Sequence, residues 1–335
     1  MVFSWHFLHA TNGFPIAFSY TPTLVPLALL DEGHTGVALF MTLSGYLFAK
    51  LLAGKSINYA AFLWNRVLRL LPLLSLVILA VGLITWLQGG NLGHYASTVS
   101  KGFLLPTLPN GGWSITAEFH YYVILPLFLL LLRVSRLLPL AILAASITLR
   151  FYLHQKTGEV QSYAYWTIIG RIDQFALGML VYQFRSYFTQ RHFLVVSIIL
   201  AFLMFYWGFD HQGGFYQNAR YPSPSLLWVV LPTIEGAVYA IAIAWYDNSF
   251  TPSTAGISGF IGRIGEYSYS IYLLHYFVVF YAAGFIHARI MPLSNFYTAC
   301  LCALICFLAM LPLGYLSYRF IEAPCLKLRR RYIQA

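Results

Sequence analysis

Two arginines, Arg66 and Arg69, lie three residues apart in an otherwise apolar segment. At that spacing, two side chains project from one face of a helix. Guanidinium groups bind phosphate oxygens through paired hydrogen bonds, so this pair could hold a phosphorylated ligand. The simpler interpretation is that both residues anchor the cytoplasmic start of a membrane helix. The residues alone leave both interpretations open.

Two histidines near the start of the chain, His6 and His9, are candidates for proton transfer. His6 lies in an apolar, aromatic stretch, and His9 follows it by almost one helical turn. Imidazole is the side chain best suited to exchange a proton near neutral pH, and we predict His6 as a general base with His9 as the second choice. The alternative role is a hydrogen bond that fixes helix packing.

A glycine-rich turn precedes a further candidate, Glu118. Trp113 and Ser114 follow two glycines, and Glu118 comes four residues after the serine, just before an apolar run. A serine followed by a carboxylate can simply cap a helix. A carboxylate at the head of a membrane helix could instead orient a histidine or bind a hydroxyl group.

Other polar side chains occur inside apolar runs, where they usually face the interior of a helix bundle. Tyr269, Tyr272 and His275 recur at intervals of three and share a helix face, which could line a polar cavity or simply pack. Ser44, beside Gly45, could shape a site or allow a close helix contact. Arg171 and Asp173 are also charged residues within an apolar run. The favoured interpretation is that they belong to a polar network that fixes helix packing.

Membrane helices must position these residues. The chain has 335 residues, of which 59% are hydrophobic and 9% charged, whereas about a quarter of an ordinary soluble domain is charged. A soluble fold could not bury this much apolar surface. We therefore predict an all-α, polytopic membrane bundle of about ten transmembrane helices. The predicted helices cover residues 1–20 (interrupted), 35–54, 67–88, 119–133, 137–153, 165–184, 193–209, 225–246, 265–287 and 296–320.

The distribution of charge favours a membrane orientation over a nucleic-acid partner. The formal charge of +10 is spread between the apolar runs and forms no soluble basic face, so no nucleic acid is expected. Most basic residues fall on one side of the predicted bundle, which by the positive-inside rule is cytoplasmic and holds both termini. The other side carries a weaker, mixed set that includes Arg220. The predicted organisation is a membrane domain over residues 1–326 and a basic cytoplasmic tail over 327–335.

Five short motifs follow one another in an order typical of a known family. Together they resemble the acyltransferase-three family of integral membrane O-acyltransferases, which includes bacterial O-antigen and Nod-factor acetyltransferases. The motifs that carry the resemblance are the glycine-rich helix Gly36–Leu47, Arg-x-x-Arg-x-x-Pro at Arg66–Pro72, Trp-Ser-Ile-Thr-Ala-Glu at Trp113–Glu118, the Ser-Tyr and Tyr-Leu-Leu-His segment Ser268–His275, and Glu-x-Pro at Glu322–Pro324.

The resemblance implies transfer of an acyl group, usually acetyl, from a coenzyme A thioester to a hydroxyl of a glycan or a lipid-linked saccharide. It implies catalytic roles for His6 and Glu118 and binding of the donor phosphates by Arg66 and Arg69. The family's first helix carries an arginine before its histidine. That arginine would fall before Met1 here, so we expect a late or truncated start, or a lost part of the donor site. The candidate substrate-binding residues are Ser44, Trp113, Ser114, Tyr269, Tyr272 and His275.

The expected donor, acetyl coenzyme A or another acyl coenzyme A, is a substrate, so no permanently bound cofactor is expected. No metal site is expected either, because the four cysteines lack the paired spacing of zinc ligands. The resemblance points to a bacterial inner membrane and leaves the oligomeric state open. Two other functions remain possible: a polytopic transporter or flippase, and a non-catalytic relative of the family.

Overall fold

The computed structural model describes residues 1–11, 13–216 and 221–334, and its regular structure is almost entirely helical. Arg220 and Ala335, which belong to two of the predicted sets, lie outside the described residues. The first helices are α1 (Val2–Leu8), α2 (Ala28–Asp31), α3 (Gly36–Leu52), α4 (Tyr59–Leu87), α5 (Leu92–Lys101), α6 (Trp113–Val134), α7 (Pro139–Thr157), α8 (Gln161–Trp166) and α9 (Ile168–Gln183). The later helices are α10 (Arg185–Phe188), α11 (His192–His211), α12 (Leu227–Ser249), α13 (Gly256–Glu266), α14 (Ser268–Leu274), α15 (Tyr276–Arg289), α16 (Phe296–Ser317) and α17 (Ala323–Leu326).

Shorter elements connect or flank these helices. They are two 3₁₀ turns at Val25–Leu27 and Gly33–Thr35, a π-helical turn at Tyr318–Glu322, and two short strands, β1 (Ser56–Ile57) and β2 (Ile333–Gln334).

Six stretches of the described chain are long and apolar enough to cross a membrane, and a seventh results if α14 and α15, bent by 61°, count as one span. They are Gly33–Leu52, Tyr59–Leu87, Trp113–Val134, His192–His211, Leu227–Ser249 and Phe296–Leu326. An all-α membrane bundle is therefore confirmed, whereas the predicted number of about ten spans is not. Among the described residues of 1–20, only those of α1 are helical. Residues 165–184 are divided between α8 and α9, and polar residues near the end of α7 lower its hydropathy.

The chain forms two compact units. Unit 1 comprises Met1–Leu51, Val123–Thr251 and Val279–Ile305, and unit 2 comprises Leu52–Tyr122, Pro252–Val278 and Cys306–Ala335. In unit 1, α9 is the central helix and packs against α7, α8 and α12.

Glycines allow α3 and α9 of unit 1 to approach at backbone distance. A Cβ atom at Gly45 would lie 2.1 Å from the carbonyl oxygen of Phe175, and one at Gly178 would lie 2.1 Å from that of Thr42. No side chain fits at either position, so both glycines are required by this contact. The motif around Ser44 and Gly45 thus has a packing role in unit 1, with Ser44 itself buried.

Two buried polar networks fasten the helices around α9. The guanidinium of Arg150, on α7, donates to Asp173 Oδ2 at 2.8 Å, to Thr233 Oγ1 at 2.8 Å and to the Val229 carbonyl at 2.7 Å. These bonds join α7, α9 and α12 inside the bundle. Because a buried charge is tolerated only when it is paired and hydrogen-bonded, the sequence-based assignment of Asp173 to a packing network agrees with its contacts.

The second network in unit 1 surrounds Glu235 on α12. Arg171 Nη1 lies 3.8 Å from Glu235 Oε2, and Gln174 Nε2 donates to the same oxygen at 3.1 Å. Tyr206 of α11 donates its hydroxyl hydrogen to the other carboxylate oxygen. Arg171 also donates from Nε to the Tyr165 carbonyl at 2.9 Å. Its charge is thus paired with a carboxylate of unit 1, which agrees with the packing interpretation.

Unit 2 is organised around α4, which packs against α5, α14, α17 and the π-helical turn. The helix begins at Tyr59 and not near residue 67, because Asn58 caps it: the Asn58 side chain accepts from the Ala61 N–H at 3.0 Å. Arg66 and Arg69 consequently lie within the second and third turns, where their side chains can reach protein groups as well as solvent.

The basic segment that follows α17 folds back onto the start of α4. Its last residues form an antiparallel ladder in which Ser56 pairs with Gln334 and Ile57 pairs with Ile333. The Asn58 N–H donates to the Tyr332 carbonyl at 2.8 Å, which continues this contact into the helix cap. The predicted cytoplasmic tail is therefore an ordered part of unit 2.

Candidate functional site

The first cluster in unit 2 combines the two predicted arginines with Glu118. Glu118, on the first turns of α6, is 6% exposed, and its carboxylate accepts the hydroxyl hydrogen of Tyr122. Both Arg69 and Arg66 interact electrostatically with this carboxylate. The guanidinium carbon of Arg66 lies 5.3 Å from the ring centroid of Phe62 and 5.8 Å from that of Tyr122. Residues distant in sequence thus form one charged group.

A second carboxylate, Glu322, reaches Arg69 from the π-helical turn. Glu322 is 2% exposed and interacts electrostatically with Arg69. Ser270 donates its hydroxyl hydrogen to the Glu322 carboxylate, and the Ser270 and Ser317 oxygens are 3.0 Å apart. Arg69 therefore has two buried carboxylates in its surroundings, and their negative charges favour its guanidinium there.

The predicted tyrosines of α14 divide between two surroundings. Tyr269 donates to the Leu70 carbonyl on α4 at 2.7 Å and is electrostatically coupled to Glu118 and Arg69, so it joins the arginine cluster. Tyr272 instead donates to the Gly111 carbonyl at 2.9 Å, with its hydroxyl 2.7 Å from Ser114 Oγ. Tyr269 and Tyr272, which the sequence places on one helix face, therefore make contacts with two different segments.

Ser114, Tyr272 and His275 form the second cluster of unit 2. Ser114 Oγ lies 3.2 Å from the Gly111 carbonyl oxygen, and His275 Nδ1 lies 2.5 Å from the Tyr272 carbonyl oxygen. Trp113 is buried beside them in the chain, with 6% of its surface exposed. These bonds tie the glycine turn before α6 to the end of α14, which is what the packing interpretation predicts.

The two predicted histidines belong to unit 1. His6 lies on α1, half-buried, with its ring centroid 4.8 Å from that of Trp5 and 5.8 Å from that of Phe280. His9 ends the same helix, and its side chain is 6% exposed. Both histidines therefore lie beside aromatic rings of unit 1, and imidazole is a side chain that can exchange a proton near neutral pH.

Both ring nitrogens of His9 face oxygen acceptors. Nδ1 lies 3.0 Å from the Ile16 carbonyl oxygen, and Nε2 lies 3.3 Å from Asp31 Oδ1 and 3.3 Å from the Asp31 carbonyl oxygen. Neutral imidazole has only one N–H, so both contacts become hydrogen bonds only in the protonated ring. Burial lowers the pKa of His9, but the hydrogen bond and negative charge of Asp31, the hydrogen bond to the Ile16 carbonyl and the negative charge of Glu32 together raise it above 6.5.

Acidic side chains surround this histidine. Burial raises the pKa of Asp31 above its usual range, while His9 acts in the opposite direction. Asp210, at the end of α11, interacts with Asp31 and with the Thr21 hydroxyl. Close by in the chain, Glu32 Oε2 lies 2.8 Å from His34 Nε2. Sequence reasoning missed the pairing of Asp31 with His9, because the two residues lie 22 positions apart across an irregular connection.

The structure thus brings Arg66, Arg69, Glu118 and Tyr269 together and places Ser114, Tyr272 and His275 in a second cluster of the same unit. His6 and Ser44 belong to unit 1. Sequence reasoning passed over Glu322 and Ser270 as site residues, although both lie in the motifs that carry the family resemblance. Within the described ranges, no three His, Cys, Asp or Glu side chains are arranged to hold a metal ion.

An apolar helical bundle with buried charged clusters defines the class as an integral membrane protein with a polar interior. The family model described as an acyltransferase domain matches residues 1–318. The chain therefore belongs to acyltransferase family 3, and its apolar helices make it an integral membrane member.

One curated relative supports the same assignment. Over 287 aligned residues, the chain is 28% identical to a protein of Komagataeibacter xylinus named membrane-bound transacylase BcsY. The alignment covers 74% of this chain and 66% of that protein. No solved structure matches the chain.

Proposed function

We propose that the chain transfers an acetyl group from acetyl coenzyme A to a hydroxyl of a glycan or a lipid-linked saccharide. Membership of acyltransferase family 3 supports acyl transfer as the reaction class. The observation that carries the donor assignment is the pair Arg66 and Arg69 beside buried Glu118 in unit 2. The donor is a substrate, and no permanently bound cofactor enters the proposal.

The arginine pair suits a phosphorylated donor for two reasons. Coenzyme A carries several phosphate groups, and arginine binds phosphate through a planar fork of donors. Glu118 acts as a positioning residue in this proposal, because its carboxylate is fixed by Tyr122 and is a nearby counter-charge for both guanidinium groups. A fixed arginine loses less conformational entropy when the ligand arrives.

We assign the proton transfer to His6. His6 accepts the proton of the acceptor hydroxyl while that oxygen attacks the thioester carbonyl carbon. The carbon–sulfur bond then breaks, the acetyl ester remains on the acceptor, and the coenzyme A thiolate takes the proton back from His6. A positioned general base contributes about 10²- to 10⁴-fold to such a step.

His9 is the weaker candidate for the base. A general base needs an unprotonated nitrogen within reach of the substrate. Both nitrogens of His9 face carbonyl or carboxylate oxygens, an arrangement that stabilises the imidazolium. We therefore assign His9 and Asp31 to an ion pair that holds the end of α1, and with it His6, in place.

The remaining parts of the proposal concern the membrane in which the chain lies and the residues around the substrate. The resemblance to bacterial acetyltransferases supports a bacterial inner membrane, and the charge bias of the loops supports both termini in the cytoplasm, where acyl coenzyme A is available. For Trp113, Ser114, Tyr269, Tyr272 and His275 we propose contacts that shape the walls of the substrate-binding region. For Ser44, which is buried beside the closely packed Gly45, we propose a structural contribution to the same function.

The test is acyl transfer by the full chain in lipid nanodiscs. Labelled acetyl coenzyme A is supplied with glycans and lipid-linked saccharides from a bacterial envelope, and labelled ester and released thiol are measured together. His6→Ala should lower kcat about 100-fold or more at an unchanged KM for acetyl coenzyme A. Arg69→Ala should raise that KM about tenfold, because it removes a charged contact to the donor.

Matched variants separate these effects from a general loss of structure. His94→Ala and Arg136→Ala change exposed residues outside both clusters and should retain the activity of the original chain. Full activity of His6→Ala would eliminate His6 as the base. In sealed proteoliposomes, movement of labelled saccharide across the membrane without any ester would instead support a transporter, and binding of the donor without transfer would support a non-catalytic relative.

A further inference from the structure

The C-terminal segment is fastened to α4 at the residue beside Arg66. Asn65, which is 3% exposed, donates from Nδ2 to the Arg330 carbonyl at 2.7 Å and accepts from the Arg330 N–H at 2.9 Å. This side chain therefore pairs with the tail as a neighbouring strand would. Trp64 adds a bond from Nε1 to the Leu328 carbonyl at 3.3 Å, and Arg330 lies over the Trp64 ring at 5.7 Å.

This attachment also fixes the backbone position of Arg329, the residue between Leu328 and Arg330. Its neighbours on both sides, Leu328 and Arg330, are held through their backbone atoms. Arg329 lies close enough to Arg69 and Arg66 for their positive charges to act on it. Partial burial, and then this repulsion, lower the pKa of Arg329 below its usual value. Three guanidinium groups thus gather at the start of α4.

Arg329 differs from Arg66 and Arg69 in its negatively charged neighbours. Arg69 and Arg66 interact with the buried Glu118, and Arg69 also interacts with Glu322. Arg329, in contrast, forms no ion pair with any carboxylate of the described residues. The fold therefore holds a third positive charge against two others, an arrangement that attracts a multivalent anion.

We propose that Arg329, carried by the docked tail, is the third guanidinium of a phosphate-binding site that it forms with Arg66 and Arg69. This inference rests on the proposed function, because the phosphate groups it assigns are those of the acyl coenzyme A donor. It makes the tail after α17 part of the donor site, with Asn65 as the residue that positions it. Arg329 is only partly buried, and its exposed part is open to a ligand that arrives from water.

The test measures ligand binding by the full chain in nanodiscs of zwitterionic lipid. The probes are coenzyme A and adenosine 3′,5′-bisphosphate, which carries phosphate groups but neither thiol nor acyl group. Arg329→Gln should weaken binding of both probes about tenfold, since it removes one charge-assisted contact. The matched control is Arg331→Gln, which removes an equal charge from the same tail and should change the affinities less than about twofold.

Thermal unfolding without a ligand provides a second readout, in which the loss of Arg329 should not weaken the protein although it weakens ligand binding. Arg329→Gln removes a repulsion and should leave the melting temperature equal or higher, while the stabilisation by added adenosine 3′,5′-bisphosphate decreases. A purely structural arginine would instead lower the melting temperature. Equal loss of affinity in Arg329→Gln and Arg331→Gln would overturn the inference, because only overall charge would then matter.

The outcomes also separate this inference from the proposed function. Binding of the bisphosphate that depends on Arg329, in a chain without acyl transfer, would support the phosphate site and reject the transferase proposal. Acyl transfer with unchanged donor affinity in Arg329→Gln would support the transferase proposal and overturn the role of Arg329 in the phosphate site. If anionic phospholipid in the nanodisc abolishes bisphosphate binding while the Arg329→Gln chain loses its lipid preference, the site takes a lipid headgroup, and the donor assignment is overturned.

Discussion

Replacement of Asn65 by alanine should release the C-terminal tail from α4. The substitution removes two hydrogen bonds to Arg330, of 2.7 and 2.9 Å, from a side chain that is 3% exposed. Each bond contributes about 1 kcal/mol net, so the docked tail should lose about 2 kcal/mol relative to the released tail. That loss corresponds to an increase of about 30-fold in the population of released tail.

Hydrogen–deuterium exchange of the peptide that covers residues 327–334 measures this population directly. In Asn65→Ala, the amides of this peptide should exchange about 30-fold faster, because exchange of a locally opened segment follows its opening free energy. The bond from Trp64 to Leu328 and the ladder between β1 and β2 remain, so the tail should loosen and not detach. Asn91→Ala, which removes the cap of α5, is the control and should leave the tail unchanged. Unchanged exchange of the tail in Asn65→Ala would refute the anchoring role.

Two further predictions concern unit 1. The pKa of His9 is raised above 6.5 in the folded protein, so the stabilisation from its pair with Asp31 is complete below pH 6.5. This stabilisation is lost as the pH rises through the folded-state pKa of His9. The raised pKa of Asp31 likewise makes the folded protein less stable as the pH rises. The melting temperature should therefore fall with rising pH above about 6.5, and His9→Gln should flatten this dependence; an equal slope in both proteins would contradict the pairing. Gly45→Ala should destabilise the protein by about 1–3 kcal/mol, since the new Cβ would lie 2.1 Å from the Phe175 carbonyl oxygen. Thermal unfolding compares it with Gly284→Ala, where a Cβ meets no atom within 4 Å; equal stability of the two variants would contradict the close contact.

Composition and periodicity are sufficient to predict the helical membrane bundle, because every spanning segment must satisfy its own backbone hydrogen bonds. They are less informative about the number of spans. The stretch 165–184 reads as one apolar helix, but the chain breaks between α8 and α9, where Thr167 caps the second helix by accepting from the Ile169 N–H. A short local cap of this kind changes the helix boundary without changing the average hydropathy.

The charged clusters show a similar limit. The spacing of Arg66 and Arg69 predicts their common helix face, and the motif that ends at Glu118 identifies the carboxylate. Sequence periodicity does not predict that Glu118 interacts with both arginines, since this depends on how distant segments of unit 2 come together in the fold. Nor does it predict the docked tail, because a two-residue strand such as β2 carries no periodic signal.

The balance of charge distinguishes buried arginines that hold the fold together from arginines that can bind a ligand. Arg150 in unit 1 is completely buried, and its guanidinium is satisfied by Asp173 and by neutral oxygens of the same unit. A charge of this kind has no remaining capacity for a ligand, and its loss would leave an unpaired carboxylate. In unit 2, Arg66, Arg69 and Arg329 outnumber the carboxylates Glu118 and Glu322 that interact with them. The excess of positive charge in unit 2, held in place by a tail that is itself hydrogen-bonded to α4, is therefore better explained by binding of an anion than by stabilisation of the fold.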